Sequence, residues 1–108
     1  MGEQAFEYRV QRILEEHGFL VVNCARSKPF DLVAAKNGVV VFVEVKGRNT
    51  RYSLRQKKFQ KRLALKASVP FAVVRQSKTK GKVQVSFLVS FTPYEEKLLL
   101  EAFRKWLE

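Results

Sequence analysis

Apolar positions along this chain recur with two periods. In "EQAFEYRVQRILEEHGF" they fall at Phe6, Val10, Ile13 and Leu14, with His17 next on the same face. Spacings of three and four predict an amphipathic helix, and Gly18 marks its end. "FLVVNCA" then predicts a strand and "RSKP" a loop, because Pro29 disfavours helix before it. "FDLVAA" and "VVVFVEVK" predict two strands around "KNG", whose Asn-Gly pair is a hairpin signal. The second of these is apolar on both faces, as a central strand is. A basic loop, "GRNTRYS", leads to a helix over residues 54–68. "PFAVVRQ" and "KVQVSFLVS" predict strands around the turn "SKTKG". "TPYEEKLLLEAFRKWL" predicts a last helix, with Thr92 as N-cap, Pro93 in the first turn and Glu95 closing a capping box. The order α-β-β-β-α-β-β-α implies an α/β fold, a mixed sheet flanked by helices. No repeat or low-complexity segment interrupts it.

Bulk composition narrows the class. A chain of 108 residues with 46% hydrophobic content is expected to form one small folded domain. No apolar run approaches a bilayer span, and the N-terminus lacks the order of a secretory signal. The single Cys24 excludes an internal disulfide and a Cys-rich zinc site, and is expected as a small core residue. A cytoplasmic, intracellular protein with no membrane partner is therefore expected. Net charge is the strongest bulk signal, at +11 with an isoelectric point near 10.2. Between Val45 and Tyr94 there are thirteen Lys or Arg and no Asp or Glu. A one-sided excess of cations points to a polyanion, most often nucleic acid.

Three charges stand inside the apolar strands. Side chains alternate along a strand, so Val40, Phe42, Glu44 and Lys46 share one face. If "KNG" closes a hairpin, Asp31 stands about as far before the turn as Glu44 stands after it, and the two carboxylates come opposite or nearly so. Neighbouring carboxylates repel unless a cation lies between them or one is protonated. Carboxylate oxygens suit Mg²⁺, with Mn²⁺ as a substitute. A lysine beside them can orient or deprotonate a water and steady a phosphate's charge. The bland reading is a structural ion pair of Lys46 with Glu44 or Asp31. The chemical one is metal-dependent phosphodiester hydrolysis, and the position at a strand end, opposite the chain's one Asp, favours it.

An Asp, one hairpin, then Glu-x-Lys resembles the PD-(D/E)XK nuclease superfamily. Here it reads "PFDLVA" and "FVEVKGR", with Phe30 inserted between Pro29 and Asp31. Within that superfamily, "EYRVQRILEEHGFLVV" and "DLVAAKNGV" are similar to the archaeal Holliday junction resolvase family, over roughly residues 2–76. The resemblance implies a restriction-endonuclease-like fold with a five-stranded mixed sheet. It implies Glu7, Asp31 and Glu44 as metal ligands, the Val45 carbonyl as a further one, and Lys46 as their catalytic companion. It also implies supporting roles for Ser27, in the loop before Asp31, and for Gln56, which shares a helix face with Phe59, Gln60 and Leu63. His17 reads better as a helix-end histidine than as a catalytic one.

The second helix carries Arg55, Lys58, Arg62 and Lys66 at spacings of three and four, opposite an expected packed side of Phe59, Leu63 and Ala67. With no acidic partner in reach, that stripe is expected to meet phosphates. Arg48 and Arg51 extend it toward Lys46, and Tyr52 can stack or pack. One chain offers one site, so paired cuts in a four-way junction imply a homodimer. "FAVVRQ", "VQVSFLVSF" and "LLLEAFRKWL" are candidate interface or ordinary core. Two other functions fit the same residues: a related nuclease acting on flaps, nicks or foreign duplex, and a DNA-binding module without catalysis.

Overall fold

The computed structural model describes residues 2–24 and 29–108. Ser27 lies outside them. Helix α1 (Glu3–Glu16) is followed by strands β1 (Leu20–Asn23), β2 (Leu32–Lys36) and β3 (Val39–Lys46). Helix α2 (Leu54–Ala67), strands β4 (Phe71–Gln76) and β5 (Val83–Val89) and helix α3 (Pro93–Phe103) complete the order expected from the sequence. The last helix is shorter than its pattern suggested. It tightens into a single 3₁₀ turn at Arg104–Trp106, after which Leu107 bridges to Val83.

The five strands lie in the order β1-β2-β3-β4-β5. Only β3 and β4 run parallel; α2 makes their crossover, as a parallel connection requires. The β2–β3 turn places Asn37 and Gly38 at φ 52° and 78°, the left-handed pair that a two-residue hairpin needs. Its register sets Leu32 against Val43, so the next step outward sets Asp31 against Glu44.

Alternation along β3 divides the core in two. Val41, Val43 and Val45 pack with Phe6, Val10, Ile13 and Leu14 of α1 and with Leu98, Leu99 and Phe103 of α3. The opposite face holds a smaller, aromatic cluster under α2, in which Phe30, Phe71 and Ala64 are buried and Phe42 is partly so. Phe30 stacks on Phe42 at 4.4 Å and meets Phe71 edge-on at 5.0 Å. The inserted residue of the motif is thus an anchor, holding the chain one position before Asp31 against the sheet.

Three sequence expectations change here. Phe59 and Ala67 are exposed, and α2 packs instead through Gln60, Ala64 and Leu63, because the sheet reaches the helix closer to Gln60 than the apolar pattern implied. His17 is the helix-end histidine expected, with its Nδ1 2.8 Å from the Ile13 carbonyl, but its side chain is exposed rather than on the packed face of α1. Cys24 is half-buried, just past the end of β1, where the edge of the sheet leaves it uncovered. The candidate interface segments are largely ordinary core: Phe71 to Val74, Leu98, Leu99, Ala102 and Phe103 are buried.

Candidate active site and nucleic-acid interface

Antiparallel and parallel neighbours of β3 end together at one edge of the sheet. The first turns of α1 and α2 reach the same edge, because each of these helices runs opposite to the strand it adjoins. A cavity of about 490 Å³ opens there, lined by Glu3, Glu7, Asp31, Glu44, Lys46 and Gln56 among others, and by Val45. Every described residue singled out for the metal and catalytic roles borders this one space. Folding brings them together from three elements and one loop.

Hydrogen bonds fix most of them. Asp31 Oδ2 accepts from the Val45 backbone N–H at 2.7 Å. Glu44 Oε2 lies 3.3 Å from Lys46 Nζ and accepts from Gln56 Nε2 at 3.2 Å. The ion pair that the bland reading expected is therefore formed, by residues that line the cavity. Glu7 Oε2 accepts from Asn23 Nδ2 at 3.1 Å, which ties α1 to the end of β1.

Their environment disfavours charge. Burial, and then the charge of Asp31, pushes the Glu44 carboxyl up to about 7, against the opposing pull of Lys46. Burial also raises Asp31, with the Val45 N–H pulling the other way, and raises Glu7. Each carboxylate thus holds a proton more readily than an isolated acid would, because both are buried.

Residues to which the sequence assigned no role at the cavity brace it. Gln60 is fully buried, one turn after Gln56. Its amide nitrogen donates to the Pro29 carbonyl and its oxygen accepts the Tyr52 hydroxyl. Burial raises the Tyr52 phenol still further above its usual range, so it stays a donor. The Tyr52 ring lies under two ammonium groups, Lys46 at 4.9 Å and Lys57 at 5.1 Å. Attraction of a cation to the ring face helps to place Lys46. Glu3 accepts from the Gly47 N–H at 3.2 Å, and Arg75 Nη1 donates to the carbonyls of Gly47 and Thr50 at 3.1 and 2.9 Å. A Cβ on Gly47 would stand 2.9 Å from Thr50 Oγ1, so a side chain here would oblige Thr50 to shift. Glu3 and Gln60 each stand four residues from a residue already singled out, and helical spacing could have found them. Nothing in the sequence pairs Tyr52 with Lys46.

Beside the cavity, Arg55, Lys58, Arg62 and Lys66 are exposed along α2, and Arg51 is exposed in the preceding loop. Arg48 is exposed too, though its Nε donates to the Ser77 carbonyl at 2.8 Å. Among the described residues, Lys46 is the one cation within 4.0 Å of a carboxylate. The remaining positive charge is uncompensated, as a phosphate-binding surface requires.

Comparison with known proteins shows the fold and the family. No curated protein matches the sequence. Among solved structures, Hjc from Archaeoglobus fulgidus, a Holliday junction resolvase, superposes with a TM-score of 0.64 over 78% of this chain and 74% of that one. At 22% identity the likeness is one of fold, and that fold is the restriction-endonuclease-like one. The sequence model described as archaeal Holliday junction resolvase (Hjc) matches residues 2–69, from the first helix to just past α2. That stretch contains the carboxylates, the lysine and the basic helix, and by it the chain belongs to the archaeal Holliday junction resolvase family of nucleases.

Proposed function

We propose that the chain, as one PD-(D/E)XK domain spanning residues 1–108, is a divalent-metal-dependent endonuclease that cuts four-way DNA junctions as a homodimer. The observation that carries this reading is the facing pair Asp31 and Glu44, both with raised pKa, beside Lys46 in one open cavity. The donor set is hard oxygen, without histidine or cysteine ligands. Among the described residues no three His, Cys, Asp or Glu side chains converge to hold an ion. Such a set fits Mg²⁺, which takes one or two carboxylates and completes its shell with water and phosphate; Mn²⁺ suits the same ligands. Asp31 and Glu44 would hold the ion, with the Val45 carbonyl beside them and Glu7 nearby. The chemistry so supplied is neutralisation of the carboxylates and polarisation of water and phosphate.

The rest falls to this chain's own groups. The Val45 N–H orients Asp31, and Gln56 orients Glu44. Once Glu44 is ionised, Lys46 can turn its remaining hydrogens to an attacking water and to the phosphate's developing charge. Arg51, Arg55, Lys58, Arg62 and Lys66 would bind the backbone without reading bases. Two symmetric cuts need two such sites, hence a second copy. Exposed Leu20, Val22, Val40 and Phe59 offer apolar surface for it. DNA as substrate would place the protein inside the cell.

The test is cleavage of a labelled four-way junction and a matching linear duplex, with Mg²⁺ or EDTA, beside Asp31→Asn. Paired symmetric cuts in the junction, lost with EDTA and in the variant, are expected. Cutting of linear duplex or flaps would keep the metal site and change the substrate. Binding without cutting under any metal would sink the catalytic reading.

A further inference from the structure

The β4–β5 turn carries three lysines in five residues, Lys78, Lys80 and Lys82, none of them within 4.0 Å of a carboxylate. Mutual repulsion at such a tip should favour a loose loop. Instead it is held from several sides. Ser77 N–H donates to the Lys82 carbonyl and Lys82 N–H to the Thr79 carbonyl, each at 3.0 Å. Arg9 of α1 reaches across to donate to the Gly81 carbonyl at 2.8 Å. Thr79 Oγ1 donates to the terminal Glu108 side chain at 2.7 Å, so that carboxylate is spent on a hydroxyl rather than on a lysine. Arg48, in the loop straight after Lys46, bonds the Ser77 carbonyl and couples the turn to the site. The backbone that carries these unpaired lysines is thus already ordered, and their charge lacks an anion.

Its direction matters as much as its charge. β4 runs parallel to β3, so this turn projects from the same sheet edge as the cavity. It is displaced across the strands by one to two strand spacings, about 5–10 Å. The α2 stripe runs the other way, down the sheet face from the cavity for about 20 Å. The two cationic tracks meet at the site and diverge.

We infer that the β4–β5 turn holds the sugar-phosphate backbone of a second duplex arm, distinct from the arm that lies along α2. On this assignment an arm bent away from the α2 axis lies on the turn, and a branched DNA engages both tracks. Selectivity for branched over linear DNA then comes from the chain's shape and charge, without any base contact. This inference rests on the proposed function, because it assumes a branched DNA at the cavity.

The experiment is binding in EDTA, so that cleavage plays no part, of the full chain to a four-way junction and to linear duplex of equal arm sequence. The variant is Lys78→Gln, Lys80→Gln, Lys82→Gln together, with the all-Arg replacement as the charge-preserving partner and Arg55→Gln, Lys58→Gln, Arg62→Gln as the α2 counterpart. Junction affinity is expected to fall about tenfold or more in the turn variant, with a shallower salt dependence by about one to three in slope. Duplex affinity should stay within about twofold, and the all-Arg chain should bind as the unaltered one does. The α2 variant should weaken both DNAs. Unchanged junction affinity in the turn variant, or equal loss on both DNAs, overturns the inference and leaves the cleavage reading standing. An unaltered chain that binds both DNAs alike overturns the inference and removes the junction from the function as well.

Discussion

Glu44 is a buried acid whose proton the fold favours, and this has a consequence for pH. Its folded pKa, about 7, lies above the ordinary 4.5, so the stabilisation from holding it protonated is complete below pH 4.5 and is lost as pH rises through 7. Asp31 works in the same direction. In EDTA, the melting temperature should therefore fall between pH 5 and pH 8, with a stability loss on the order of 3 kcal/mol at most. Glu44→Gln, which mimics the protonated acid, should flatten that profile, and Mg²⁺ should restore the unaltered chain at pH 8. A flat profile in EDTA for the unaltered chain would contradict the buried-acid reading. Lys46→Ala should lower the junction cleavage rate by about 10²–10⁴-fold with binding retained, measured in single turnover. The Asp31–Glu44 pairing was legible in the sequence because the Asn-Gly turn sets the register and alternation sets the face. The support from Tyr52 was not, because an aromatic carries no pattern that tells which lysine it will meet, and Gln60 was legible as a neighbour of Gln56 but not as the partner of the Pro29 carbonyl.

At the scale of elements, α2 has two jobs on one short helix. Its Gln56 and Gln60 turn inward to the site and its Arg55, Lys58 and Arg62 turn outward. Gln60 is fully buried with both ends of its amide engaged. Gln60→Leu leaves the Tyr52 hydroxyl and the Pro29 carbonyl without that partner, and should cost about 2–6 kcal/mol in denaturant unfolding, at about 1–3 kcal/mol per orphaned group. A cost under about 0.5 kcal/mol would mean water replaces the amide. Thr92→Ala removes a full capping box at the start of α3, where the hydroxyl accepts from the Glu95 N–H. It should destabilise the chain by about 1 kcal/mol and leave the junction cleavage rate unaltered, since no residue of α3 lines the cavity and the helix starts beside the β2–β3 turn, at the far end of the strands. Helix starts and hairpin turns were legible because they depend on a few neighbouring residues. The packed side of α2 was misjudged at Phe59 and Ala67 because helical spacing identifies a stripe, and only the sheet's position decides which edge of that stripe is covered.

For the whole molecule, the decisive quantity is uncompensated charge. With a net charge of +11 and one ion pair among the described residues, DNA affinity should drop steeply with salt. A chain that contacts six to ten phosphates should lose about 10³–10⁵ in affinity between 50 and 200 mM salt, read by fluorescence anisotropy. An affinity indifferent to salt would assign the basic surface another purpose. Sequence alone determined the element order, the mixed sheet, the hairpin register, the Asp-Glu-Lys set and the sign of the partner. These follow from periodicity, turn chemistry and charge, each readable within a few residues or summed over the chain. Tertiary structure alone decided which cations face the same way, which polar groups brace the site, and that two basic tracks part at its edge. Those relations join Arg9 to Gly81, Arg48 to Ser77 and Gln60 to Pro29, residues far apart along the chain. Distance between them is set by how the sheet and its helices pack, a property that no local pattern encodes.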